Sequence, residues 1–248
     1  MSKTAFITGA TSGIGKAIAE EFSAAGYRII ITGRREERLT QLADELKGEV
    51  YPLRFDVRDR LAVNQVIDSL PEEWKTIDIL VNNAGLALGL SELSEGDVED
   101  WEQMIDTNVK GLLYVTRKIS PTMVERGSGH IVNVSSIAGK EVYAYGNVYC
   151  GTKHMVDALT KAMRTEMAKS GVRVSAVNPG AVETEFSIVR FHGNLEKANT
   201  VYQGFENLVA KDVAEAVLFM VDRPDHVNIN ELTIMSTAQP NAGTIYRK

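Results

Sequence analysis

Apolar residues along this chain fall into two alternating rhythms. Short runs that are apolar at nearly every position, such as KTAFITG and YRIIITG, suit strands buried on both faces, because a strand with one wet face alternates apolar and polar. Between them lie stretches with apolar residues three or four apart. In IGKAIAEEFSAAG, Ile14, Ile18, Phe22 and Ala25 share one helical stripe, and Gly26 is placed to end the helix. The beat repeats through helix EERLTQLADELK, strand VYPLRFDV, helix RLAVNQVIDSL and strand IDILVNNAG. A long helical region, VEDWEQMIDTNVKGLLYVTRKISPTMVER, contains Pro121, which predicts a bend or a boundary at that point. Strand HIVNVSS, helix NVYCGTKHMVDALTKAMRTEMAKSG and strand VRVSAVNPG follow, and helix KDVAEAVLFMVDR and strand ELTIMS come last. From Ala181 to about Val209 neither period persists, which predicts a loop over a site.

Regular alternation of strand and helix implies parallel neighbours, since parallel strands need crossover connections. The expected fold class is α/β: a Rossmann-type, doubly wound parallel sheet of about seven strands with helices on both faces. No repeat, low-complexity tract or linker divides the chain, so residues 1–248 are expected to form one domain, with a substrate loop at about 181–209.

Composition narrows the function. With 44% hydrophobic and 24% charged residues the chain can bury a large core. Its net charge of -6, with acids and bases mixed, offers no basic stripe for a nucleic acid. The start MSKTAFITGATSG lacks a signal-peptide pattern and no apolar run approaches bilayer length, so a cytoplasmic protein without a membrane partner is expected. Cys150 is the single cysteine, and the four histidines are scattered, so neither a disulfide nor a metal is expected. Cys150, Trp74 and Trp101 are assigned to packing.

TGATSGIG, Thr8 to Gly15, sits where the first strand meets the first helix. Glycines there let the backbone approach a phosphate, and the helix N-terminus attracts its charge. A tight turn without a ligand would use the same residues. After the second strand an NAD site usually carries an acid for the ribose 2′-hydroxyl, but here the chain reads TGRR. Arg34 and Arg35 instead suit a 2′-phosphate, which favours NADP; solvated surface charges are the alternative.

NVYCGTKHM places Tyr149 and Lys153 four residues apart, on one face of a helix. A phenol with a pKa of about 10 needs help to act as a base at neutral pH, and a nearby ammonium favours phenolate; a three-unit shift corresponds to about 4 kcal/mol. Ser136 ends the strand HIVNVSS, so it and Asn83 should face the crevice beyond the carboxyl ends of the strands.

With TGATSGIG, NNAG, Asn108 in TNVKG, Ser136, YCGTK, and NPG followed by Thr184, the chain resembles the short-chain dehydrogenase/reductase family along essentially its whole length. The resemblance implies that Tyr149 is the acid/base, that Lys153 binds the nicotinamide ribose and tunes Tyr149, that Ser136 holds the substrate oxygen, and that Asn108 supports a proton relay through water. It further implies cofactor contacts from Gly9, Thr11, Ser12, Gly13, Ile14 and Gly15, from Asp56 at the adenine and its neighbour Val57, from Asn83, Ala84 and Gly85, and from Pro179, Gly180, Val182 and Thr184. Within the family, FSIVRFHGN and RPDHVNINELTIMSTAQ resemble NADP-dependent 3-hydroxy acid dehydrogenases of the serine and allo-threonine type. Arg190 is then the candidate for a substrate carboxylate, with a plain surface arginine as the alternative, and His192 is incidental. Relatives imply a homotetramer through the helices bearing Asn108 and Tyr149.

The expected activity is hydride transfer between NADP and the 3-hydroxyl carbon of a small hydroxy acid or hydroxy amino acid. A ketoacyl-thioester reductase of the same family and a non-catalytic NADP-sensing regulator are the alternatives.

Overall fold

A computed structural model describes residues 2–248. Its strands are β1 (Thr4–Ile7), β2 (Arg28–Gly33), β3 (Val50–Arg54), β4 (Ile79–Asn82), β5 (Gly129–Val134), β6 (Val172–Pro179), β7 (Val182–Glu183), β8 (Leu208–Val209) and β9 (Glu231–Ile234). Seven of them form one sheet in the order β3-β2-β1-β4-β5-β6-β9, and every neighbouring pair is parallel. The helices are α1 (Gly13–Ala24), α2 (Glu36–Glu45), α3 (Arg60–Asp68), α4 (Val98–Ile105), α5 (Leu112–Arg126), α6 (Asn147–Met167), α7 (Phe186–Arg190), α8 (Leu195–Thr200) and α9 (Ala210–Val221).

Alternation of side chains along each strand divides the core in two. Ile7, Ile29, Ile31, Val81 and Val132 pack with Ile18 and Phe22 of α1 and Val213 and Val217 of α9. Phe6, Ile30, Leu80 and Ile131 face the other way, against Val63, Val115, Ile119 and Val156. Both faces of the sheet are therefore dry, which is why the strands read as unbroken apolar runs. Each fully buried Ile or Phe contributes roughly 1.5–3 kcal/mol of transfer free energy. Strand order reverses between β1 and β4, opening a crevice beyond their carboxyl ends. Among the described residues no helix is long and apolar enough to cross a membrane.

One expectation needs correction. Pro121 lies inside α5 without ending it. Pro121 and Arg117, four residues before it, are both exposed, so water can serve the carbonyl that the missing amide leaves free. The long helical region breaks instead at a π turn, Asp106–Gly111, which separates α4 from α5. Gly111 permits that geometry, because a Cβ there would lie 2.7 Å from Val57.

Residues 181–209, read from the sequence as a loop over a site, supply Val182, Thr184 and Phe186 to the cleft and also carry short elements. They contain α7 and α8, and β7 pairs with β8 in a small second sheet. Elements of two to six residues are too short for a period to register.

Candidate active site

The crevice is a cleft of about 300 Å³ that runs from the β1–α1 turn to the start of α6. Gly9, Thr11, Ser12, Gly13 and Ile14 line its floor. Gly9 (φ +68°) and Gly13 (φ +53°) take left-handed backbone that other residues adopt rarely. Gly15 packs against the turn from behind, where a Cβ would come within 2.3 Å of the Gly9 carbonyl oxygen. Asn83 lines the cleft but also braces the turn, donating from Nδ2 to the carbonyl oxygens of Thr8 (2.9 Å) and Gly9 (3.2 Å). Ser12 precedes α1 without capping it through its side chain, which leaves the first helical N–H groups to the cleft. A phosphate fits this cradle; a larger residue at Gly9 would meet Ala84 at 2.9 Å.

Arg34 and Arg35 line the cleft next to Asp56 and Val57. Arg34 Nη1 lies 3.9 Å from Asp56 Oδ2, and that carboxylate also accepts from Arg58 at 2.7 Å. Burial pushes Asp56 up, but the hydrogen bonds and charge of Arg58 outweigh it and hold the carboxyl below its usual range. Arg35 Nη2 donates to Thr11 Oγ1 (2.9 Å) and Ser12 Oγ (2.8 Å). The sequence reading missed two partners. Glu185 lines the cleft and pairs with Arg35 (3.0 Å) and with Arg38 of α2 (2.7 Å). Arg38 lies one helical turn from Arg34 and Arg35, a spacing that could have flagged it; nothing local to Glu185 signals its role.

At the other end Ala84, Gly85, Ser136, Tyr149, Lys153, Pro179, Gly180, Val182 and Thr184 come together. Tyr149 and Lys153 occupy the first two turns of α6, and both are buried. Ser136 follows β5, where its Oγ accepts from the Ala138 amide at 3.1 Å. Phe186 of α7 packs edge-on against Tyr149, with ring centres 5.7 Å apart. Asn108, in the π turn, is buried beneath the cleft. Its Oδ1 accepts from the Leu86 amide and its Nδ2 donates to the Leu86 carbonyl, each at 2.8 Å, and to Thr152 Oγ1 at 3.0 Å. Its amide thus clamps the Gly85 segment to α6.

Burial pushes the Tyr149 phenol up from its ordinary value, and Tyr143 adds to the rise, while Arg190 and the Ser136 hydroxyl oppose it. Burial pushes Lys153 down to about 8. Lys153 Nζ donates to the Val134 carbonyl oxygen (3.0 Å) and lies 5.9 Å from the centre of the Tyr149 ring. Arg190, with its guanidinium carbon 5.1 Å from the centre of that ring, is a cation that favours phenolate.

Arg190 stands at the end of α7, outside the lining of the cleft proper but against its catalytic end. Its guanidinium touches Tyr149, Phe186 (5.2 Å) and Tyr143 (5.9 Å), and Nη2 donates to Tyr143 Oη at 2.7 Å. Nε is buried without a partner. His192, two residues on, bonds Asp100 Oδ2 at 3.0 Å and anchors the segment to α4.

A family model described as short chain dehydrogenase matches residues 3–194. The chain belongs to the short-chain dehydrogenase family. It is 50% identical over 238 residues to the NADP-dependent 3-hydroxy acid dehydrogenase of Escherichia coli K12, covering 96% of each chain. It is 46% identical over 242 residues to sulfoacetaldehyde reductase 2 of Chromohalobacter salexigens, again covering 96% of each. Its fold superposes on the closed form of a serine dehydrogenase complexed with NADP+ with a TM-score of 0.95, at 48% identity, covering 99% of this chain and 100% of that one. Against this family the arrangement joins a phosphate cradle to a phenol, an amine and a hydroxyl, groups suited to exchanging a proton at an alcohol oxygen.

Proposed function

We propose that this member of the short-chain dehydrogenases oxidises the 3-hydroxyl of a small 3-hydroxy acid or hydroxy amino acid, or reduces the matching carbonyl. The enzyme is an NADP-dependent oxidoreductase acting on CH–OH groups. When bound, NADP supplies the hydride acceptor at nicotinamide C4. Tyr149 takes the hydroxyl proton, Ser136 orients the alcohol oxygen, and Lys153 holds the nicotinamide ribose. Each turnover removes a hydride and a proton from the alcohol and leaves a carbonyl. Arg34, Arg35 and Arg38 hold the 2′-phosphate, and residues 181–209 form the substrate side.

The single observation that carries the substrate class is Arg190, a guanidinium pressed on the Tyr149 ring with a buried donor and, among the described residues, no acidic partner. A 3-hydroxy carboxylate and a sulfoacetaldehyde share an anionic head group near the reacting carbon, and one guanidinium suits either. A thioester delivered on a carrier protein offers it no anion, which places that reading second. A regulator without turnover has no use for Tyr149, Lys153 and Ser136 in one cleft. Exposed Ile105 and Met155 on the helical surfaces support the homotetramer, and a cytoplasmic location completes the reading.

The test follows reduced-nicotinamide absorbance with NADP and L-serine, L-allo-threonine and 3-hydroxypropionate in turn. Turnover of at least one is expected. Failure with all three removes the substrate class.

A further inference from the structure

Arg190 is held by more than its aromatic neighbours. Three rings surround its guanidinium, those of Tyr149, Phe186 and Tyr143. Attraction between a cation and a ring face sets their separation but leaves the planar fork free to turn in its own plane. One directional contact removes that freedom, the 2.7 Å bond from Arg190 Nη2 to Tyr143 Oη.

Tyr143 is itself rigidly mounted. Its carbonyl accepts from the Gly146 amide at 3.2 Å, closing a tight turn before α6. Inside that turn Tyr145 sits at φ +66°, left-handed backbone that an aromatic residue adopts at a cost of order 1–3 kcal/mol. Gly146 lies flush on the Tyr143 ring: a Cβ there would come within 2.3 Å of Cε2. A turn that carries such strain while pressing one ring into place fixes that ring's hydroxyl. The far end of the contact is fixed too, because the Arg190 carbonyl accepts from the Gly89 amide at 3.0 Å.

We propose that Tyr143 is the positioning residue of an anion receptor, holding the Arg190 fork so that its remaining donors, the buried Nε–H among them, meet the carboxylate of the substrate. This rests on the reading of Arg190 given above. Nε–H has no partner among the described residues, and an unmet buried donor is costly until a ligand oxygen arrives. A substrate with a charged head group satisfies it, whereas an uncharged analogue of the same length does not. Tyr143 thus governs selectivity for acids, while its influence on the Tyr149 phenol is the same for acid and ester.

The experiment compares 3-hydroxypropionate with its methyl ester on the wild-type enzyme and on Tyr143→Phe, Gly146→Ala and Arg190→Ala. Propionate binding by calorimetry and melting temperature provide readouts apart from turnover. Tyr143→Phe should raise KM for the acid about tenfold, the loss of one charge-assisted hydrogen bond, while leaving KM for the ester unchanged; any change in kcat that passes through the Tyr149 phenol should be equal for the two substrates. Propionate binding should weaken by the same factor. Gly146→Ala, which displaces the ring but keeps the hydroxyl, should shift selectivity the same way. Equal changes of KM for acid and ester, or no change of either, overturn the positioning role. Arg190→Ala decides the underlying reading separately: if the preference for acid over ester survives it, Arg190 is not the receptor, whatever Tyr143→Phe does.

Discussion

Glu185 Oε1 lies 2.7 Å from Nη1 of Arg38 across the mouth of the cleft, 147 residues away in the chain. The same carboxylate takes a hydrogen bond from Arg35, so two of the arginines suited to a 2′-phosphate already hold an anion belonging to the segment that carries Arg190. Glu185→Gln should therefore tighten binding of 2′,5′-ADP about two- to fivefold at low salt, with the gain fading as salt rises, because these pairs are two-fifths exposed. Titration calorimetry at two ionic strengths checks it; weaker binding would mean that Glu185 supports the phosphate site.

The three arginines should separate by cofactor. Arg34→Gln and Arg38→Gln are expected to raise the Michaelis constant for NADP far more than that for NAD. Arg35→Gln should affect both, since its guanidinium also bonds Thr11 and Ser12 of the phosphate turn. Steady-state kinetics with each cofactor is the measurement.

Tyr149→Phe keeps the ring against Phe186 and removes only the hydroxyl. Cofactor affinity should hold while kcat falls at least about a hundredfold, the contribution ordinarily made by a positioned acid/base. A retained rate would place the acid/base elsewhere.

Lys153 is destabilised by its own burial. Its folded pKa of about 8 lies below its ordinary value, so folding opposes its protonation. Stability from this group is therefore greatest at alkaline pH and is lost as pH falls from the ordinary lysine value through about 8, remaining low below that. At pH 7 the penalty is about 3 kcal/mol, and losing the bond to the Val134 carbonyl returns about 1 kcal/mol of it. Lys153→Met should raise the melting temperature at pH 7 by a few degrees while abolishing turnover, as is common where function carries strain (about 4 °C per kcal/mol or less at this size). A lower melting temperature refutes it.

His130, buried in β5, is pushed down to about 3 by burial and by the charges of Arg173 and Lys3. It is neutral in the fold, while in the unfolded chain it protonates near 6.5. Stability is thus full above about pH 6.5 and is lost as pH falls toward 3, with a slope approaching about 1.4 kcal/mol per pH unit from this group. Urea denaturation of wild type and His130→Gln at pH 7, 6 and 5 compares the slopes; equal slopes would exclude His130 as their source.

The sequence by itself determined whatever is encoded within a few residues. Unbroken apolar runs such as RIIITG give strands buried on both faces, and from their alternation with helices comes the parallel sheet. The glycine spacing after β1 and the i, i+4 pair of Tyr149 and Lys153 are equally local, which is why the cradle and the catalytic helix were legible. What only the tertiary structure decided are the relations between distant segments. Asn108 meets Leu86 and Thr152 through a π turn that a helical period does not record, and Arg190 meets Tyr143 and Tyr149 from a segment too short to show any period. The sign of the Tyr149 shift belongs to the same class. Proximity along a helix brings Lys153 near the phenol, but the charge and solvent around a buried group depend on every element packed against it.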